Sequence, residues 1–287
     1  MLSINHFVHG WGIPAFAFIL SVTGSVLALR CASHARISRR PGGWLAASAV
    51  ALGGCGIWVM HFTAMMGFGI QGVIIRFDIP MTALSAVIAV VVVWAGLSIV
   101  VRWQREVVAL PLGGVLTGLG VAAMHYLGMF AMHTSAHIEY KRTLVALSIV
   151  IAIVAATAAL WLILHVRGIV ATVIAGLVMG FAVCGMHYTA MASMHAHHAD
   201  YTAMVTGVES TSLLMPLMLT VSVVMMSLML LVGLAEIEAP TRRELHSLER
   251  DSPAHWPMNK PGSGESRPLT DQTVTRTGTG RRRRLAQ

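Results

Sequence analysis

The residues able to do chemistry recur as a hexapeptide: MHFTAM at 60–65, MHYLGM at 124–129 and MHYTAM at 186–191, about 63 residues apart. On a helix, positions i and i+4 share a face, so His61 pairs with Met65, His125 with Met129 and His187 with Met191. The stripe continues through Met132 and Met194, seven residues past their histidines; Phe68 holds that place in the first copy. The leading methionines, Met60, Met124 and Met186, lie one residue, about 100°, to the side and flank the stripe. Imidazole and thioether form a borderline-to-soft ligand set: thioethers favour Cu(I), and imidazole accepts copper in either state. The hexapeptides contain no carboxylate, which disfavours Mg, Ca and Mn. The candidate metal ligands are Met60, His61, Met65, Met124, His125, Met129, Met186, His187 and Met191, with Met132 and Met194 beside them; Tyr126 and Tyr188, next to their histidines in sequence, are candidates for a supporting place only. Cys184 lies one turn before His187, but Trp58 and Ala122 hold the matching positions, so it reads as packing. A single apolar-segment histidine is ordinarily a hydrogen-bonded packing residue, and methionine is a common gap filler. Three copies at one spacing favour a shared polar or metal site.

The surroundings of these motifs are those of a membrane protein. Of the 287 residues 56% are hydrophobic and 11% charged, against about 25% charged in soluble domains, and the mean hydropathy is +0.72. Charge-free apolar runs long enough to cross a bilayer predict seven spans, roughly 12–30, 44–68, 80–101, 108–130, 143–164, 168–192 and 211–235. The expected fold is an all-α polytopic membrane protein, with a seven-span domain over 1–235 and a basic tail over 236–287. The tail, rich in Pro, Gly, Ser, Thr and Arg, is expected to be disordered beyond a short helical start. The spans hold no Asp, Glu or Lys, and Arg30 sits at an edge; proton-coupled transport usually needs such groups inside the membrane. The net charge of +8 resides in connections and tail, so the expected partner is the lipid bilayer and not nucleic acid. Cys31, Cys55 and Cys184 suggest no disulfide framework. The N-terminus lacks the basic stretch of a cleavable leader, so the first helix is expected to remain.

Arginine and lysine set the orientation. The first, third and fifth connections carry Arg30, Arg36, Arg39, Arg40, Arg102, Arg105 and Arg167, against Arg76, Lys141 and Arg142 in the others. The N-terminus is therefore outside and the C-terminus inside, in keeping with Arg242, Arg243 and the run Arg281 to Arg284. The repeat also exceeds the hexapeptide, since ALSAVIA at 83–89 matches ALSIVIA at 146–152. Each unit is a helix ending in the motif, an outer loop and a returning helix, giving three two-helix repeats plus an extra N-terminal helix. His61 follows Trp44 by 17 residues, about 25 Å along a helix at 1.5 Å per residue. All three histidines thus lie at one level near the outer boundary of the bilayer.

The outer loops add His133, His137, His195, His197 and His198, and the acids Asp78, Glu139 and Asp200 beside Phe77, Tyr140 and Tyr201. His133 and His137 have a metal-compatible spacing if that turn is helical. Solvated loop charges are the simplest reading; a capture surface or hydrogen-bond partners for the motif histidines are the others. His6 and His9 lie on the same side.

Three copies of M-H-[FY]-x-x-M in a seven-span chain resemble the MHYT family of bacterial integral membrane sensor domains, over about residues 1–235. The resemblance implies a sensor of oxygen, carbon monoxide, nitric oxide or redox state acting through bound copper in the bacterial cytoplasmic membrane. Its characteristic residues fall on Met60, His61 and Thr63, on Met124, His125 and Tyr126, and on Met186, His187, Tyr188 and Thr189. Phe62 replaces Tyr in the first copy and Leu127 replaces Thr in the second, so a tyrosine hydroxyl cannot serve all three. Many members continue into a cytoplasmic output module. Here about fifty polar residues follow, so the expectation is a stand-alone, non-enzymatic member signalling through an unknown cytoplasmic partner. The alternatives are copper storage or transport, in which Met65, Met129, Met132, Met191 and Met194 matter as much as the histidines; a haem protein using two of the histidines as axial ligands; and a zinc hydrolase built on the loop histidines with Glu139 or Asp200.

Overall fold

The computed structural model describes residues 3–5, 8, 10–38, 41–71, 73–103, 105–198 and 207–251. His6, His9, Arg39, Arg40, Asp200, Tyr201 and the arginine run at 281–284 lie outside the described residues, as does the tail beyond 251. Among the described residues, seven helices are long and apolar enough to cross a membrane. They are α1 (Gly12–Ile37), α2 (Pro41–Met65), α3 (Ile79–Arg102), α4 (Glu106–Phe130), α5 (Arg142–His165), α6 (Ile169–Met191) and α7 (Ser210–Asp251), whose apolar part is Met215–Ile237. The chain is an integral membrane protein. Met1–Pro240 form one compact unit and Thr241–Gln287 are a separate one, helical as far as Asp251.

Helices α1 to α6 close into a ring, each packed on its chain neighbours and α1 packed on α6. The sequence repeat and the spatial ring differ at one point. By sequence α7 is the returning helix of the third unit, yet α1 fills the place beside α6 that α5 fills beside α4. Small residues show the equivalence. A Cβ at Gly114 or Gly118 of α4 would run into Thr157 and Ile153 of α5. A Cβ at Gly176 or Gly180 of α6 would run into Val26 and Val22 of α1. Both pairs are the Gly-x-x-x-Gly spacing that lets membrane helices approach closely. Helix α7 lies outside the ring, its span only 22% buried. It presents one stripe to the core, Val221, Met225, Leu228 and Val232, and Arg30 of α1 forms an ion pair with Glu236 of α7.

Helix α2 is the most buried span, at 72%, and departs from regular α-helix. Val50–Trp58 are wound as π-helix between the α-helical Pro41–Ala49 and Val59–Met65. Glycines permit close packing there: a Cβ on Gly53 would lie 2.5 Å from the Ala89 carbonyl oxygen, and one on Gly24 of α1 would lie 2.5 Å from the Gly56 nitrogen. A π-turn holds more residues per turn, so counting 1.5 Å per residue overstates the depth of His61.

The outer connections form short strands, namely β1 (Ile4–Asn5), β2 (Gly69–Ile70), β3 (Ile75–Phe77), β4 (Met132–Thr134), β5 (Ala136–Tyr140), β6 (Met194–His198) and β7 (Val208–Glu209). They pair antiparallel as β1–β2, β4–β3–β7 and β5–β6. The turn holding His133 and His137 is therefore extended, not helical, and the two residues sit on different strands. Asp78 begins α3 as an N-cap, its carboxylate accepting from the Met81 N–H at 2.8 Å.

Candidate metal centre

His61, His125 and His187 stand near the outer ends of α2, α4 and α6, the alternate helices of the ring. Their phase turns all three rings inward. One ring nitrogen from each lies within 4.8 Å of those from the others, and the ring centroids are 4.7, 5.1 and 5.2 Å apart. Each residue is 1% exposed. The Nδ1 atoms of His61 and His187 are 3.1 Å apart, one donating to the other.

The protein satisfies these rings poorly. His61 Nε2 and both ring nitrogens of His125 are buried with no hydrogen-bond partner among the described residues. Each such atom costs about 1–3 kcal/mol in desolvation, and three of them within one cluster is unusual for a packing motif. A cation accepting imidazole lone pairs would satisfy one nitrogen of each ring, so the donor set fits a borderline transition metal.

The predicted methionines divide into two groups. Met65, Met129 and Met191, with Met132 and Met194, share one buried cluster with Phe62, Phe68 and Phe77 on the outer side of the triad. The leading methionines pack elsewhere: Met124 and Met186 in the main core, and Met60 against Ala17 and Ala64. The structure thus gathers the i+4 and i+7 thioethers into one layer with the strands over it. The triad itself is closed off, each histidine being buried.

Both tyrosines lie beside the triad, Tyr126 ring-to-ring with His125 at 5.2 Å and Tyr188 with His187 at 5.0 Å. The Tyr126 hydroxyl lies 2.7 Å from Ser148 Oγ, which donates to the Val145 carbonyl and so accepts from the tyrosine. In the first copy, where Phe62 has no hydroxyl, Trp58 Nε1 donates instead to Ser85 Oγ at 2.9 Å. Ser85 and Ser148 are the matching residues of the ALSAVIA and ALSIVIA repeats. Thr189 Oγ1 donates back to the Gly185 carbonyl, while Thr63 Oγ1 is buried with no partner among the described residues. Cys184 packs near Met60 and Tyr188.

Sequence reading missed the space beneath the triad. An apolar cavity of about 40 Å³ is lined by Ile57, Val121 and Val183 among others, each four residues before a motif histidine. Its other walls include Ala152, Ala156, Leu160 and Met179, and no polar atom faces it. The residues at the matching offset are ordinary aliphatics of a membrane helix, and the volume left between the helices is not written in any one of them.

Residues 54–112 and 118–176 match the family described as bacterial signalling protein N-terminal repeat, MHYT. Each matched stretch holds one motif and the helix that returns from it. The chain belongs to the MHYT family. The third motif, at 186–191, lies beyond the matched residues but completes the same triad. The chain is similar to the bifunctional diguanylate cyclase/cyclic di-GMP phosphodiesterase MucR of Pseudomonas aeruginosa, 34% identical over 251 residues that make up 83% of this chain and 36% of that protein. It is similar also to the cyclic di-GMP phosphodiesterase NbdA of the same organism, 35% identical over 63% of this chain and 24% of that protein. The signaling protein YkoW of Bacillus subtilis is 27% identical over 67% of this chain and 25% of its own length. The chain therefore spans about a third or less of these relatives. No solved structure matches it. Its seven-span part is an MHYT sensor domain of the kind found in bacterial signalling proteins, and it resides in the bacterial cytoplasmic membrane.

Proposed function

We propose that this MHYT chain senses a diatomic gas or redox state through copper held by His61, His125 and His187, and passes the signal to a cytoplasmic effector. The observation that carries the reading is the convergence of three buried imidazoles on one point, with ring nitrogens of His61 and His125 left without a partner among the described residues. Copper at that point would supply ligation of a diatomic molecule and one-electron redox chemistry. The residues around it supply the rest. The methionine and phenylalanine layer keeps water out and offers soft donors, the helix phase aims the three rings, and the cavity beneath offers a dry volume of the size a neutral diatomic needs. Apolar cavities of this sort stay dry and take apolar guests.

The route to the cytoplasm runs along the helices that carry the ligands. Helices α2, α4 and α6 begin on the cytoplasmic side at Pro41, Glu106 and Ile169. A change in the spacing of the imidazoles displaces these three helices against α1, α3 and α5. Any such switch needs two helix arrangements that the ligand distinguishes energetically. The π-helical Val50–Trp58 is the candidate element, since π segments recur at functional sites.

Copper storage or transport is the second reading, favoured by the five methionines in one cluster. Haem fits less well. The three rings share one small volume and the adjoining cavity is about 40 Å³, so a macrocycle would have to force α2, α4 and α6 apart.

The deciding experiment is metal analysis of detergent-purified protein for Cu, Fe and Zn, beside a variant with His61, His125 and His187 all changed to Ala. Near-stoichiometric copper that disappears in the variant supports the reading, and gas titration of the copper form then separates sensing from storage. Absence of bound metal after challenge with Cu(I) overturns it.

A further inference from the structure

The β5–β6 ladder has two faces of opposite character. Ala136, Met194 and Ala196 belong to the buried methionine cluster, and Ile138 packs against it. Side chains alternate along a strand, so the other face presents His137 and Glu139 from β5 and His195 and His197 from β6. The register sets them in a square, with His137 directly opposite His197 and Glu139 directly opposite His195. Directly opposed residues have Cβ atoms about 4.5–5.5 Å apart on one face.

We propose that this face of the β5–β6 ladder is a second metal site, taking a divalent transition cation through His137, Glu139, His195 and His197. Three imidazoles and one carboxylate are a borderline donor set that suits Zn²⁺, Cu²⁺ or Ni²⁺. The carboxylate already stands between two of the rings: Glu139 Oε1 is 4.0 Å from His137 Nε2, and Glu139 Oε2 is 3.8 Å from His197 Nε2. His195 carries an independent sign. Its Nδ1 lies 3.2 Å from the Ser193 carbonyl oxygen, to which only an Nδ1–H can donate. That hydrogen bond fixes the tautomer that leaves Nε2 with a free lone pair, the arrangement by which metal-bound histidines are oriented. Solvated pairing of Glu139 with two histidines would explain the two contacts. It would not explain why a third imidazole with its tautomer fixed shares the face. His137 and Glu139 are about two-thirds exposed, so a hydrated cation reaches them from the outer side without opening the fold. The site uses no thioether and does not touch the buried triad, so it stands whether or not the triad holds copper.

The test is equilibrium dialysis of the full chain in detergent against Zn²⁺, comparing wild type, His137→Ala/His197→Ala, and the control His133→Ala on the neighbouring strand. The expected result is one Zn²⁺ equivalent fewer in the double variant and no change in the control. Equal stoichiometry in all three overturns the proposal. A second measurement needs no variant. Diethylpyrocarbonate modifies accessible histidines, and peptide mapping of wild type should show residues 137 and 197 modified without Zn²⁺ and protected with it. Equal modification with and without Zn²⁺ overturns the proposal even if the double variant fails to fold.

Discussion

The imidazole of His61 occupies the space that a side chain at Gly128 would need. A Cβ at residue 128 would collide with His61 Nε2 and lie 3.1 Å from its Cδ2, so the glycine of the second motif makes room for the histidine of the first. Gly128→Ala should therefore turn His61 away from His125 and His187. We expect loss of metal retention by at least about tenfold, comparable to removing a group that orients a ligand, with the spans still folded. Gly185→Ala, which meets open space in α6, is the control and should retain metal. Metal content of both variants at equal thermal midpoint checks this; full retention in Gly128→Ala would show that the triad tolerates displacement of one ring.

The apolar cavity below the triad makes a prediction that does not depend on metal. Xenon, which enters dry apolar cavities, should bind the wild-type chain between Val121, Val183 and Ala156. Ala156→Val should fill part of the space and exclude it. The added methyls are worth up to about 0.8 kcal/mol each if they pack without strain, so the variant should be no less stable. Xenon NMR shifts on both proteins decide the matter, and equal shifts would mean that the cavity is not an occupied volume. If copper is present, the same variant should slow gas combination without altering metal content.

The centre was legible in the sequence because its determinants are periodic. His61, His125 and His187 recur at one spacing on helices of one direction, and that alone sets them at one level. The i+4 methionines gather for the same reason, while the i−1 methionines, 100° away, go to other clusters. Three features could not be read. The π-helical Val50–Trp58 holds Gly53, Gly54 and Gly56, which any helix type accepts. Strands of two to five residues arise from pairing between loops far apart in the chain, as when Arg76 lies opposite His133, and no local pattern announces them. Helix α1 carries no motif, so its place in the ring became visible only where Val22 and Val26 meet Gly180 and Gly176.

The packing of α2 on α3 gives a stability prediction with a built-in control. Gly53 faces the Ala89 backbone, where a Cβ would sit 2.5 Å from the carbonyl oxygen, whereas at the adjacent Gly54 it would sit 3.6 Å from a Val90 methyl. Backbone cannot yield as a side-chain tip can. Gly53→Ala should cost about 1–3 kcal/mol, the usual penalty of overpacking, and lower the thermal midpoint in detergent. Gly54→Ala should be near neutral. Equal midpoints would indicate that the π-helical stretch relaxes to absorb the methyl, which would itself identify it as a deformable element.

The outer cap should weaken in alkali through Tyr140. Burial pushes its phenol above the ordinary value of 10.0, and the neighbouring Tyr126 raises it further; the two rings are 6.3 Å apart. As pH rises past 10, the phenol of the unfolded segment ionises first while the folded cap keeps its proton. The stability that depends on neutral Tyr140 is thus complete below pH 10 and is lost as pH rises through the higher folded value. Tyrosinate absorbance during alkaline titration should lose one tyrosine's worth of its late component in Tyr140→Phe. The same variant should flatten the fall of the thermal midpoint above pH 10. A missing component with an ordinary midpoint would mean that the β5 end opens before its tyrosine ionises, and that the strand layer over the methionines is looser than its pairing with β6 implies.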